Sequence, residues 1–82
     1  MIVKCIVSGI NANGEPDFYF VKVNCTQKQY DNELHYRAAK NAADDEGYES
    51  FIAFDENDSA GKAILDKFEW DSASTVIAWH FT

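Results

Sequence analysis

Basic residues are scarce in this sequence, which contains seven Lys and Arg against fourteen Asp and Glu. Nucleic acids and anionic membranes bind clustered basic side chains, so the composition argues against both as direct ligands. Long apolar runs are also absent, since none approaches the roughly 18 residues of a membrane-spanning helix. Lys4 and Ser8 interrupt the first apolar residues too early for a signal peptide. We therefore expect a cytoplasmic protein that binds neither nucleic acid nor membrane directly.

Proline, cysteine and glycine are few as well, with one, two and four residues in a chain of 82. The single Pro, together with 46% hydrophobic and 15% aromatic residues, is typical of a folded domain rather than a disordered chain. A chain this short forms one hydrophobic core and buries only about 60% of the surface that it exposes when unfolded. We therefore expect residues 1–82 to form a single α+β domain without a deep substrate cleft.

Two runs of β-branched and aromatic residues predict a β-hairpin. The runs IVKCIVSGI (residues 2–10) and DFYFVKVNC (residues 17–25) are separated by NANGEP, which contains the turn residues Asn-Gly and Pro. Lys4, Lys22 and Asn24 are expected to face water. The period of two along a strand then directs the other side of the hairpin toward the core: Val3, Cys5, Val7, Tyr19, Val21, Val23 and Cys25.

A capping box at Thr26 and Gln29, with Gly47 as the next strong stop signal, predicts one helix over residues 27–46, roughly 30 Å long. A short strand at residues 50–54, a short helix capped by Asp58 or Ser59, and a closing strand at residues 74–82 follow, with a further strand near Phe68 and Trp70. The predicted fold is two-layer α+β, an antiparallel sheet of four or five strands with one principal helix, in β-β-α-β-(α)-β order.

The sheet face opposite the predicted helix is unusually rich in large apolar residues. One helix covers only one face, so either the short helix with Ile64, Leu65 and Phe68 covers the second face or that face forms an interface. In the second case the protein is a homodimer. The candidate dimer face comprises Ile6, Phe18, Phe20, Trp79 and Phe81.

Two patterns were compared with known metal and thiol sites, and neither matches well. An EF-hand loop starting at Asp55 would have Ala60 where Gly is required and Asp66 where a bidentate Glu is required. A capped loop explains Asp58 and Ser59 more simply. We expect no calcium site.

Cys5, Cys25, His35 and His80 form the second pattern, a candidate zinc site or a Cys–His pair whose imidazole Asp31 orients. Their spacing fits no compact zinc motif, and free Cys is commonly a buried apolar residue. A register that pairs Val3 with Cys25 leaves the two thiols diagonal, which disfavours a disulfide. We expect no catalytic residue, metal, cofactor or disulfide.

The whole net charge of −7 lies in one acidic segment, residues 44–58, which contains seven acids and no Lys or Arg. The remaining residues contain seven charges of each sign. Asp44, Asp45 and Glu46 fall in the last turn of the predicted helix, where each costs about 0.3–1 kcal/mol relative to a cation. The candidate partner-binding residues are Asp44, Asp45, Glu46, Glu49, Asp55, Glu56 and Asp58.

These acids bracket the strand predicted at residues 50–54, which is about 17 Å long, so two groups of carboxylates are placed to contact Lys and Arg of a partner. The sequence therefore predicts a non-enzymatic protein-binding module, a small acidic inhibitor or adaptor of a basic partner such as a nucleic-acid-binding protein. Phages and mobile elements make small acidic inhibitors of this kind, and the likeness is one of size and charge only. The alternatives are a merely solvated surface, a homodimeric structural or regulatory protein, and a small metal- or thiol-dependent enzyme.

Overall fold

The computed structural model describes residues 1–67 and the backbone of residues 76–78. Three antiparallel strands and the accompanying helices confirm the α+β class. No helix among the described residues is long and apolar enough to cross a membrane. The elements in chain order are β1 (Ile2–Ile10), β2 (Pro16–Asn24), α1 (Gln27–Asp31), α2 (Leu34–Asp45), β3 (Glu49–Asp55), α3 (Ser59–Lys67) and β4 (Val76–Ala78).

The sheet has the order β3-β1-β2-β4 in the described part of the chain. β1 pairs antiparallel with β2, as the predicted hairpin requires, and also with β3, but β4 runs parallel to β2. The prediction of an entirely antiparallel sheet is therefore wrong at β4. Parallel pairing needs a long crossover, and the chain between β2 and β4, which includes three helices and β3, provides one. The strand predicted near Phe68 and Trp70, and most of the strand predicted at residues 74–82, lie outside the described residues.

The hairpin of β1 and β2 places the predicted side chains in the core, although the predicted register is wrong. Val3 pairs with Val23 and Cys5 with Val21, a shift of two residues. Asn11 fixes this register, because its side-chain oxygen accepts the Asn13 and Glu15 N–H groups and closes a compact loop before β2. A shift of two leaves the facing of every side chain unchanged. The core cluster contains Val3, Cys5, Val7, Val21, Val23, Cys25, Ala38, Ala39 and Ala43, with Tyr19 packed against it.

The single long helix predicted for residues 27–46 is wrong, because the chain breaks into α1 and α2 at Asn32 and Glu33. The predicted capping box at Thr26 and Gln29 is present at the start of α1. Glu33 adopts the left-handed conformation, with φ 61°, which no regular helix accommodates. The break reorients α2, whose buried residues face the sheet: His35, Ala38, Ala39 and Ala43.

A glycine lies near each end of β3 and allows the backbone arrangement found there. Gly47 ends α2 with φ 87°, as its position predicts, and the Tyr48 N–H donates to the Ala43 carbonyl. β3 then runs back along α2, since α2 contacts β3 more than it contacts any other strand. After β3, Gly61 of α3 lies so close to the Asp55 carbonyl that a Cβ would clash, which allows α3 to lie against the end of the strand. α2 and α3 therefore both lie against β3.

Candidate functional site

Four of the predicted partner-binding acids lie together at the end of α2 and the start of β3. Asp44 and Asp45 are in the last turn of α2, Glu46 is its C-cap, and Glu49 begins β3. All four side chains are exposed. We call these four residues, Asp44, Asp45, Glu46 and Glu49, the acidic cluster.

The charge of the acidic cluster is not neutralised within the described part of the chain. No basic residue occupies the last turn of α2, and none of the four carboxylates forms an ion pair with a described residue. Their negative charges also change the pKa of a neighbouring aromatic side chain, Tyr19. Burial raises the pKa of Tyr19, and the nearby charges of Glu46 and Asp45 raise it further. The cluster is therefore a patch of exposed negative charge that no described residue compensates.

The other three predicted partner-binding acids lie at the far end of β3 and differ sharply in exposure. Asp58 is exposed and Glu56 is half-buried, whereas Asp55 is only 4% exposed. A partner therefore has no direct access to Asp55. Instead, the Asp55 carboxylate accepts the backbone N–H groups of Asn57 and Asp58 at 2.8 and 2.9 Å and thereby shapes the turn that leads into α3.

The second oxygen of Asp55 lies 2.9 Å from Nε2 of His35, which is fully buried. Burial by itself would raise the pKa of Asp55, but the hydrogen bonds from His35, the two backbone N–H groups and Tyr36 outweigh it and lower the pKa. The carboxylate is therefore ionised and can only accept, so His35 Nε2 carries a proton and donates it. Nδ1 of the same ring is buried without a hydrogen-bond partner among the described residues.

Two tyrosines pack against the His35 ring. Tyr30 stacks on it, with ring centroids 4.6 Å apart, and Tyr36 lies against it at 4.1 Å. The Tyr36 hydroxyl is 3.2 Å from Asp55 and 3.1 Å from Asp58, so two carboxylates share one hydroxyl proton. Asn57 donates from its side-chain amide to the Tyr30 hydroxyl at 2.8 Å. The network joins the α1–α2 break to the turn after β3.

An open depression of about 350 Å³ adjoins this network. Its lining combines aromatic rings, carboxylates and amide or imidazole groups and includes no Lys or Arg, so its chemistry favours a cation over an anion. The lining residues are Tyr30, Asp31, Glu33, His35, Tyr36, Asp55, Asn57 and Asp58.

The thiols of Cys5 and Cys25 are poorly suited to act as nucleophiles. Cys5 and Cys25 are free and buried in the core. Burial raises the pKa of Cys5 to about 12, and the charges of Asp55, Cys25 and Glu56 act in the same direction. Burial also raises the pKa of Cys25. A thiol with a raised pKa supplies little thiolate, which is the reactive form.

Within the described residues, no group of three His, Cys, Asp or Glu side chains is arranged to hold a metal ion. His80, the fourth member of the candidate zinc set, lies outside those residues. Asp55, the first residue of the candidate EF-hand loop, uses its oxygens on His35 and the following turn. Asp31 was the candidate partner of His35 in the Cys–His pattern, whereas the structure pairs His35 with Asp55. The alternation along β3 could have revealed it, since Ala53 and Asp55 share the core side of the strand with Val7 and Cys5.

The candidate dimer face is only partly exposed. Ile6 is completely buried, and Phe18 and Phe20 are half-buried, with ring centroids 6.4 Å apart. Trp79 and Phe81 lie outside the described residues. More exposed apolar groups occur on β3, where Phe51 is 66% and Ile52 is 49% exposed. Sequence reasoning did not single out these two side chains.

No protein-family model matches the chain, and neither the curated proteins nor the solved structures include a significant match. The surface chemistry of the chain itself is therefore the basis on which a function can be proposed.

Proposed function

We propose that the protein is a non-enzymatic binding module, a small acidic inhibitor or adaptor that engages a basic protein partner. One observation carries the proposal. The acidic cluster is exposed at one end of α2 and β3, and none of its carboxylates forms an ion pair with a described residue. A partner that presents Lys or Arg side chains would supply the missing counter-charges.

The position of the acidic cluster has an energetic cost that supports a functional explanation. The C-terminal end of a helix carries partial negative charge, so Asp44, Asp45 and Glu46 each destabilise α2 by about 0.3–1 kcal/mol relative to a cation. Solvation alone does not require acids at this end, because Lys would solvate the surface equally well and stabilise the helix. A basic partner gives these acids a role that Lys cannot fill.

The partner is proposed to be a protein whose basic surface normally binds nucleic acid. Such surfaces contain clustered Lys and Arg, and an exposed group of carboxylates on a folded domain competes for them electrostatically. Small acidic inhibitors encoded by phages and mobile elements act in this way. The acid-lined depression at the other end of β3 adds a second region of the same sign.

Two alternatives receive less support. A thiol enzyme is disfavoured by the raised pKa values of Cys5 and Cys25, and His35 is too deeply buried to reach a substrate. A homodimer through the aromatic sheet face would have to form without Ile6, which is already buried within one chain. Each copy would also bring a net charge of −7, and like charges repel.

The proposal is tested by capture. Immobilised wild-type protein is exposed to host lysate, bound proteins are eluted with increasing salt, and they are identified by mass spectrometry. We expect a basic protein to elute as salt rises, and we expect it to be lost when the bait carries Asp44→Lys, Asp45→Gln and Glu46→Lys. Capture of the same protein by both baits would overturn the proposal.

A further inference from the structure

β3 is the edge strand of the sheet in the described part of the chain. It pairs with β1 on one side, and the sheet order places no described strand on its other side. An edge strand presents unpaired backbone N–H and C=O groups, which makes it a template for the addition of another strand. Phe51 and Ile52, at 66% and 49% exposure, place apolar side chains on this strand.

Within the described residues, this edge is interrupted at two points, by a bulge near its start and by α3 at its end, where Gly61 lies against the Asp55 carbonyl. Ser8 and Gly9 pair with Ile52 and Ser50, so Phe51 is an extra residue that forms a bulge. From Ile52 onward the ladder is regular, and the Glu56 N–H continues it by donating to the Lys4 carbonyl. A bulge commonly protects an edge strand, yet the short regular segment of residues 52–54, between the bulge and α3, still leaves backbone groups for a partner strand.

Charge determines which partner can use this edge. Glu49 begins β3 and Glu56 follows its last residue, so carboxylates stand at both ends of the strand. A second copy of the chain would bring acids against acids and a further net charge of −7. A strand that carries Lys or Arg would instead gain an attraction at each end. The charges therefore disfavour self-association and favour a basic segment.

We infer that β3 binds an extended basic segment of the partner by strand addition. This inference rests on the proposed function and specifies how the partner is held. The segment would supply backbone hydrogen bonds along the edge, an apolar side chain against Phe51 or Ile52, and Lys or Arg residues roughly 20 Å apart that face Glu49 and Glu56. Backbone pairing provides affinity, and the spacing of the two cations provides specificity.

The test uses a capped synthetic peptide, Lys-Thr-Val-Thr-Val-Thr-Lys, and a matched control peptide that has Glu at both ends. Nuclear magnetic resonance of the ¹⁵N-labelled protein follows amide shifts and amide hydrogen exchange. We expect the Lys peptide to shift the β3 amides saturably and to slow exchange at alternate β3 residues. The Glu peptide should bind severalfold more weakly, because it places acids against Glu49 and Glu56.

Two protein variants sharpen the result. Phe51→Lys places a cation at the centre of the edge and should weaken binding of the Lys peptide severalfold. Ile2→Lys is the matched control, because Ile2 is 55% exposed and lies on β1, and it should bind like wild type. The comparison of the two peptides uses the wild-type protein, so it remains informative even if Phe51→Lys disturbs the strand.

The outcomes separate this inference from the function on which it rests. Peptide shifts confined to the acidic cluster, without slowed exchange in β3, would show that charge alone holds the segment and would overturn strand addition. Strand addition would also be overturned if neither peptide bound although the wild-type bait captured a basic protein that the cluster variant did not capture. Dimerisation that is lost in Phe51→Lys would show that a second copy occupies the edge, which also overturns the inference. Capture of the same protein by the wild-type bait and by the bait with the substituted acidic cluster would instead overturn the proposed function.

Discussion

At the scale of single residues, the contact between His35 and Asp55 is the main polar link in the interior. Both side chains are almost fully buried, and the carboxylate accepts hydrogen bonds from the imidazole, two backbone N–H groups and Tyr36. Burying a carboxylate is unfavourable unless its hydrogen-bonding capacity is satisfied, and here it is. The contact fixes the start of α2 against the end of β3.

Replacing Asp55 with Asn should lower the free energy of unfolding by about 2–3 kcal/mol. An amide has one acceptor and one donor end, so it cannot accept from His35 on one side and from the Asn57 and Asp58 N–H groups on the other. Urea denaturation followed by circular dichroism measures the change. Asp58→Asn is the control, because Asp58 is exposed, and it should cost less than about 1 kcal/mol. Equal effects of the two substitutions would contradict the role assigned to Asp55.

The same carboxylate predicts how stability depends on pH. Its pKa is lower in the folded than in the unfolded protein, so the unfolded chain binds the proton more readily. The stabilisation is therefore complete above about pH 4, the usual value for an unfolded Asp, and is lost as pH falls through the lower pKa of the folded state. Unfolding free energies measured from pH 6 to pH 2 should fall less steeply in Asp55→Asn than in wild type. Parallel curves would show that Asp55 does not titrate as described.

At the scale of elements, the sequence predicts which residues face the core better than it predicts where elements pair or break. Alternation along β1 and β2 identified the core side correctly, because a shift of two residues preserves it. The shift itself came from Asn11, whose side chain organises the loop, and composition alone does not reveal that contact.

The sequence also did not predict the break between α1 and α2, because tertiary contacts determine it. Residues 27–46 keep helical periodicity and contain no Pro or Gly, so nothing local marks Glu33 as left-handed. Tertiary contacts determine the conformation there, since the break allows Tyr30 of α1 and Tyr36 of α2 both to pack against the His35 ring. Local propensity is weak enough for such packing to override it.

Glu33→Gly should stabilise the protein by roughly 0.5 kcal/mol. A non-Gly residue with φ 61° is strained by about 1 kcal/mol, whereas Gly adopts this conformation freely, and the greater flexibility of Gly in the unfolded chain offsets part of the gain. Lys40→Gly, at an exposed helical position of α2, is the control and should destabilise by about 1 kcal/mol. Thermal and urea unfolding of both variants measure the effects. A loss of stability in Glu33→Gly would contradict the strain at this position.

At the scale of the whole molecule, the sequence shows that the net charge is concentrated in one segment. It does not show which acids of that segment are exposed and which are buried. The acidic segment, residues 44–58, contains both the exposed cluster and the buried Asp55. Composition treats these carboxylates alike. Only the fold separates them, because β3 points Asp55 toward α2 and leaves Glu49 at the exposed start of the strand. The exposed edge of β3 likewise depends on strand order, which local sequence patterns do not specify.

The central claim, that the acidic cluster binds a basic partner, is tested by one titration of the captured partner at two ionic strengths. Wild type is compared with the cluster variant, which carries Asp44→Lys, Asp45→Gln and Glu46→Lys. A scattered variant with the same change in net charge, Asn13→Lys, Glu15→Lys and Asp66→Lys, is the control, since all three of its positions are exposed and lie outside both acidic regions.

We predict that the cluster variant binds more weakly than wild type, most clearly at low salt, while the scattered variant stays close to wild type. The cluster variant should also melt at a higher temperature, because cations complement the end of α2. Solvation alone predicts that gain in stability without a binding defect. Binding of the cluster variant as tight as wild type at both ionic strengths, or equal weakening in both variants, would contradict the claim.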